Sequence, residues 1–198
     1  AAGVEARFTG VMPLIGAIQK TLLGDLFSSF LSALVVISAV MMTVEGGVVA
    51  GAVAMIPNVF PMLLLFGLLG WTGTALDIGS VMTASIALGM AVDGTFHFLT
   101  FFRRALGRDG DAGRGVPSAA EREEAVHAAF RHSAAALGES STVCGIGILA
   151  FAASSFAPTR QFAWMLALLV AAALAGDLVV LPALLGGPAG RLFRGSRV

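Results

Sequence analysis

Apolar residues run along this chain in five long blocks, separated by short stretches rich in glycine, charge or both. A helix needs about 20 apolar residues to cross the hydrocarbon core of a bilayer. The blocks at about 26–44, 48–69, 78–102, 133–155 and 161–185 meet that length. They predict an all-α membrane protein, a bundle of five transmembrane helices. "VEGG" and "GWTGTALD" supply the turns between the first three spans, and the stretch from Gly46 to Leu76 carries no charge at all. Gly and Ser are frequent inside the spans, as expected where helices pack closely without a hydrophobic drive between them. Pro57 and Pro61 in "MIPNVFP" predict a kink in the second span, tolerable where neighbouring helices satisfy the freed backbone groups.

The remaining segments are polar. Residues 1–25 read as an extracytoplasmic lead-in, with "PLIGAIQKTLLGDLF" an amphipathic helix running into span one. The loop at 103–132 opens Gly- and charge-rich and then turns helical, where Ser118 and Glu121 have the spacing of a capping box. Ala125, Ala129 and Phe130 form a thin apolar stripe on it, so this helix either lies along the membrane surface or is a solvated linker. Residues 188–198 form a short tail.

Composition sharpens the picture. The chain has 198 residues, 57% of them hydrophobic and only 12% charged, where a soluble domain is about a quarter charged. Net charge is zero, which argues against a nucleic-acid partner, since such proteins show a basic face. Cys144 is alone and forms no internal disulfide. The chain begins "AAGVEARFTG", without Met or a basic-then-apolar leader, and reads as a piece of a longer protein. Arginine placement sets the orientation: Arg103, Arg104, Arg108, Arg114, Arg122 and Arg131 fall in the long loop, and Arg191, Arg194 and Arg197 follow the last span. Only Arg7, Lys20 and Arg160 lie on the other side. The expectation is a multi-pass protein of the inner cell membrane, N-terminus outside and C-terminus cytoplasmic.

Candidate chemistry lies in the acids within the spans: Asp93, Glu139 and Asp177. An Asp at a helix centre costs about 2.5–3.5 kcal/mol on insertion scales, and intramembrane acids commonly mark ion or substrate pathways. Glu139 is near enough to the cytoplasmic end to reach water. At 1.5 Å per residue Asp93 lies roughly 22 Å below Ile78, and Asp177 roughly 24 Å below Gln161. Span four runs the other way, so Ser140, Ser141 and Thr142 fall at a similar depth. One polar layer containing Asp93, Ser140, Ser141, Thr142 and Asp177 is expected, with Asp93 as proton carrier. Asp177 either joins the relay or braces neighbouring helices. His97, four residues on, shares a face with Asp93, near Gly89 and Thr100. It either relays and tunes the proton or is an interfacial residue bonded to backbone or water.

The stretch "MIPNVFPMLLLFGLLGWTGTALDIGSVMTASIALGMAVDGTFHFLTFFRR" resembles the second-to-third helix region of a transmembrane half of the resistance–nodulation–division (RND) superfamily, above all its MMPL-type lipid and hydrophobe exporters. "SSFAPTRQFAWMLALLVAAALAGDLVVLPALL" resembles the family's last helix, and "TGVMPLIGAIQKTLLGDLFSSF" its lead-in from the preceding extracytoplasmic domain. The resemblance implies the five-helix part of the C-terminal repeat, a sterol-sensing-domain-like bundle. It also implies a proton-motive-force-driven exporter with no cofactor beyond the coupling proton. The "GxxxD" motif maps to Gly89 and Asp93, with Gly89 and Gly94 packing helices at the site. Many members carry a second acid or a tyrosine where this chain has Gly94. Hydroxyl residues on the next helix take part in some members, which Ser141 and Thr142 match by position. The implied partners are membrane lipids, the N-terminal half of the same transporter and a hydrophobic or lipid substrate, with a homo-oligomer left open.

Two other classes compete. A sterol-sensing-type module would use a similar bundle to bind lipid and regulate without transport. An intramembrane hydrolase would need a nucleophile motif, and neither GxSxG nor HExxH is present. Asp93 and His97 alone supply only two ligands, too few for a metal site. No enzyme activity is expected.

Overall fold

The structure, a computed structural model, describes residues 11–108 and 117–193. The first part of the lead-in, the middle of the long loop and the end of the tail lie outside the described residues. Every element among those described is helical: α1 (Val11–Val44), α2 (Val48–Thr72), α3 (Ile78–Arg108), α4 (Ala119–Leu149), α5 (Ala157–Ala175) and α6 (Leu181–Gly186). A π turn, Gly176–Val180, joins α5 to α6, and 3-10 turns at Ala150–Ala153 and Pro188–Leu192 come after α4 and α6. Five helices are long and apolar enough to cross a membrane: α1, α2, α3, α4 with its trailing turn, and the continuous α5–π–α6 unit.

Local chemistry sets the helix ends. The first two turns close alike, on a glycine in the left-handed region that other residues adopt only with strain. Gly46 has φ +69° and the next residue, Gly47, donates to Met42 O at 3.1 Å. Gly73 has φ +67° and Thr74 donates to Leu69 O at 3.0 Å. The aspartate that ends the uncharged stretch is a cap: Asp77 Oδ1 accepts from the Ser80 backbone N–H at 2.7 Å, at the start of α3. Ser118 and Glu121 form the reciprocal capping box, with Glu121 N–H donating to Ser118 Oγ at 3.2 Å and Ser118 N–H to Glu121 Oε2 at 2.6 Å.

That box does not open a separate surface helix. α4 runs unbroken from Ala119 to Leu149, about 46 Å at the ideal rise. Its first half buries Arg122, Ala125, Ala129 and Ser133 inside the bundle. The stripe read as membrane-facing or solvated is therefore packed against protein, although Phe130 itself stays exposed. The lead-in is likewise continuous with span one, since α1 extends over 34 residues.

The bundle has two apolar cores, stacked along its axis. One gathers Phe30, Leu65, Val81, Leu88, Leu166 and Leu169. The other gathers Met41, Met55, Phe98, Phe102, Leu181, Leu185 and Phe193 at the end that carries Arg103 and Arg122. Outside these cores, large apolar side chains cover the surface of α1, α2 and α4, as a lipid-facing exterior requires. Trp71 and Trp164 are both exposed, near the end opposite the arginines, in keeping with an interfacial aromatic belt.

A close approach of two helix backbones lies just after the first turn. A Cβ on Gly51 would strike the Met42 Cα and lie 2.6 Å from the Met42 backbone nitrogen, whereas a Cβ on Gly67 of the same helix meets nothing within 4 Å. Gly51→Ala is therefore expected to cost about 1–3 kcal/mol through forced backbone displacement. Gly67→Ala should be neutral or slightly stabilising. Thermal unfolding of the two variants in detergent checks this; equal melting temperatures would count against the α1–α2 packing described.

Candidate functional site

Between the two apolar cores lie three buried polar side chains from three helices: Asn58 of α2, Thr95 of α3 and Asp177 of the π turn. Asn58 and Thr95 are fully buried and Asp177 is 5% exposed. The Asn58 side-chain amide donates through Nδ2 to Ala54 O at 3.1 Å, which turns its Oδ1 toward Thr95. Thr95 Oγ1 stands 3.0 Å from Asn58 Oδ1 and 2.5 Å from Asp177 Oδ1, placed to donate to either. A hydroxyl carries one proton, so it serves one of these acceptors at a time. All contacts are filled together when Asp177 itself carries a proton: Asp177 then donates to Thr95, Thr95 to Asn58, and Asn58 to the Ala54 carbonyl.

Each helix is shaped for this meeting. Thr95 sits on the buried stripe of α3 that runs through Ala84, Leu88, Ala91, Phe98 and Phe102. On α5 and its continuation, Leu169, Ala173, Asp177, Leu181 and Leu185 are all buried at steps of four. In a straight α-helix each such step drifts about 40°. The π turn at Gly176–Val180, closed by the Leu181 N–H on Gly176 O, takes up the drift and keeps the row on one face. Pro182, just beyond, cannot donate to the Leu178 carbonyl, which favours this wider winding there.

Two glycines let the helices close. A Cβ on Gly94 would overlap Asp177 Oδ2, and one on Gly176 would lie 2.8 Å from Pro57 O. Pro61 has no N–H to bond that Pro57 carbonyl, so this turn of α2 presents a freed backbone oxygen directly to the π turn at Gly176.

The carboxyl of Asp177 borders a cavity of about 140 Å³, also lined by Asp93, Gly94, Ser140, Ser141 and Cys144. The expected polar layer is thus assembled in part. Asp93 reaches it from the rim and is otherwise exposed on the bundle surface. Asp93 and His97 are each two residues from Thr95, roughly 160° round the helix and so on the opposite face. Asp93 also lines a second, apolar groove of about 330 Å³ between α1 and α3, with Val36, Val40, Val44, Gly89 and Phe96.

Several expectations are corrected. The carboxyl held deep in the bundle belongs to Asp177, not Asp93. Thr142 is exposed, outside the cavity, and its hydroxyl donates to Gly138 O of its own helix at 2.6 Å. His97 is exposed and lies edge-on to Phe101 at 5.0 Å between ring centroids; it borders neither cavity nor groove. Gly89 does not pack helices, since a Cβ there meets nothing within 4 Å. Gly94 does. No group of three or more His, Cys, Asp or Glu that could hold a metal occurs among the described residues.

Asn58 and Thr95 were not singled out by sequence. The sole hint was their polarity inside apolar runs, on the faces that packing buries. Comparison with protein-family models, with curated proteins and with solved structures finds no match to this chain.

Thr95→Val keeps the shape and deletes the hydroxyl, leaving Asn58 Oδ1 and the Asp177 carboxyl without their shared partner. An unfolding free energy lower by about 1–3 kcal/mol is expected, with Thr95→Ser closer to wild type. Denaturant titration in detergent measures it, and a Thr95→Val protein as stable as wild type would show that the hydrogen-bonded chain does not hold the bundle.

Proposed function

We propose that this chain is the five-helix transmembrane part of a proton-motive-force-driven exporter of lipids or other hydrophobic compounds, resembling the C-terminal repeat of MMPL-type RND transporters. The observation that carries the reading is the buried Asp177–Thr95–Asn58 chain bordering a cavity that also reaches Asp93. A carboxyl in such a layer is costly as a bare charge, and the layer itself offers it no cationic side chain among the described residues. A proton relieves that cost. Asp93 stands on the other side of the cavity, at the rim, where it can exchange the proton with the outside of the bundle.

In this reading the arginine-rich end is cytoplasmic. Asp177 holds the proton in one state of the cycle and passes it across the cavity, past Ser140 and Ser141, to Asp93 in the next. Loss of the proton from Asp177 leaves Thr95 serving two acceptors with one hydrogen. That drives a rearrangement of α3 against the π turn, and the rearrangement is what couples the proton to cargo movement. The partners are the surrounding lipids, the N-terminal half of the same transporter and a hydrophobic or lipid cargo.

The apolar groove between α1 and α3 favours a second reading, a sterol-sensing-type module that holds a lipid against α3 and regulates without transport. Export in proteoliposomes that depends on a pH gradient separates the two. Asp177→Asn is the sharpest variant, because its side-chain amide still donates to Thr95 and preserves the fold while it can no longer release a proton. Both Asp177→Asn and Asp93→Asn are expected to insert and melt like wild type yet abolish gradient-driven export. Retained export in either would refute the relay.

A further inference from the structure

The turn between α1 and α2 contains a second buried acid outside that site. Glu45 is 8% exposed, and its Oε2 has no hydrogen-bond partner among the described residues. α1 carries no charge between Asp25 and Glu45, and α2 carries none at all. Among the described residues the charged group that faces Glu45 comes from α3: Arg103 Nη1 lies 3.8 Å from Glu45 Oε1 and donates to Val44 O at 2.8 Å. Burial pushes the Glu45 carboxyl above its ordinary value, and the Arg103 guanidinium offsets part of that rise.

The position of this pair relative to Asp93 gives it a role. The groove between α1 and α3 runs from Gly89 and Val36 past Asp93 to Phe96 on α3 and Val44 on α1. Val44 is the neighbour of Glu45, and its carbonyl is the one Arg103 holds. On α3, Phe96 and Arg103 are seven residues apart and so share a face, about 15 Å of rise separating Asp93 from Arg103. One open groove therefore leads from the rim acid to Val44, the residue next to a buried, half-satisfied carboxyl at the arginine-rich end.

The geometry points to Glu45 as the group that takes the proton from Asp93 and releases it at the cytoplasmic end, with Arg103 as its positioning residue. The inference rests on the proton-coupled reading above and extends it by an exit. The step is a plain proton transfer: protonated Asp93 and ionised Glu45 become ionised Asp93 and protonated Glu45, through water entering the groove. Glu45 then gives its proton to cytoplasmic water. Arg103 keeps its charge throughout. Its hydrogen bond to Val44 fixes the guanidinium beside Glu45, and its field favours the ionised form that has to be regenerated.

The test uses the full-length protein in vesicles of phosphatidylethanolamine and phosphatidylglycerol, with a fluorescent acyl-chain lipid as cargo probe and an entrapped pH dye to read proton movement under an imposed gradient. Glu45→Gln is expected to slow coupled proton movement about a hundredfold, with the protein still inserted and folded. Glu45→Asp, which keeps a titrating group, should recover part of the rate. Arg103→Gln removes the field that lowers the Glu45 value, so Glu45 holds its proton to higher pH. The midpoint of the flux–pH profile then moves upward by about one pH unit, and Arg103→Lys moves it back. A merely structural brace would change stability without moving that midpoint. If Glu45→Gln does not fold, the Arg103→Gln profile decides alone. Wild-type flux in Glu45→Gln, or an unmoved midpoint in Arg103→Gln, overturns the exit. A wild-type protein that moves neither protons nor probe overturns the transport reading itself.

Discussion

The structure depends on one hydrogen-bonded layer placed where it is hardest to maintain. Asn58, Thr95 and Asp177 meet between two apolar cores, in a bundle whose exterior is also apolar. Inside such a bundle an unpartnered polar group costs several kcal/mol, so the three side chains hold α2, α3 and the π turn in one relative arrangement. The adaptations around them answer that requirement. Gly94 leaves room for the Asp177 carboxyl, Gly176 lets α5 settle on the freed Pro57 carbonyl, and the π turn keeps Asp177 in line with Leu181 and Leu185. A straight α-helix or a larger residue at either glycine would pull the layer apart.

That layer is also short of one proton. With a single hydroxyl hydrogen between two acceptors, the arrangement is complete only when the carboxyl is neutral. A group whose neutral form completes a network, and whose charged form breaks it, links proton binding to helix packing. In the proposed relay, the cavity to Asp93 and the groove beyond it are the route the proton takes. Function in this account is therefore a property of the packing geometry, and the cargo does not need to touch the acid.

Much of the architecture was legible in the sequence because it rests on length and local chemistry. The five apolar blocks became five helices, the glycine turns closed as left-handed caps, and Ser118 with Glu121 made the expected box. Depth was legible as well, since helical rise placed Asp93, Ser141 and Asp177 near one level, and all three line one cavity. Azimuth was not. Ser141 and Thr142 are adjacent and so about 100° apart. Only Ser141 lines the cavity, while Thr142 turns out and bonds its own backbone. Thr95 lies between the charged Asp93 and the titratable His97, on the opposite face from both, and a lone threonine in an apolar run carries no signal of its own. Asn58 adjoins Pro57 and lies three residues before Pro61, and the backbone effect of the two prolines dominates the pattern there. The continuity of α4 was missed because the Gly-rich stretch before Ser118 suggested a loop that would detach the capped helix from the fourth span. Ala125 and Ala129 looked too small an apolar stripe for a core, yet small residues suit a close helix contact.

The most direct test is whether Asp177 carries a proton in the assembled bundle. Infrared spectroscopy of the full-length protein in lipid, with the Asp177→Asn protein as reference, reads the carbonyl stretch of that single side chain at neutral pH. The account predicts a protonated-carboxyl band that disappears in the reference and shifts in Thr95→Val, where its acceptor is gone. A spectrum in which Asp177 contributes only carboxylate bands would contradict it.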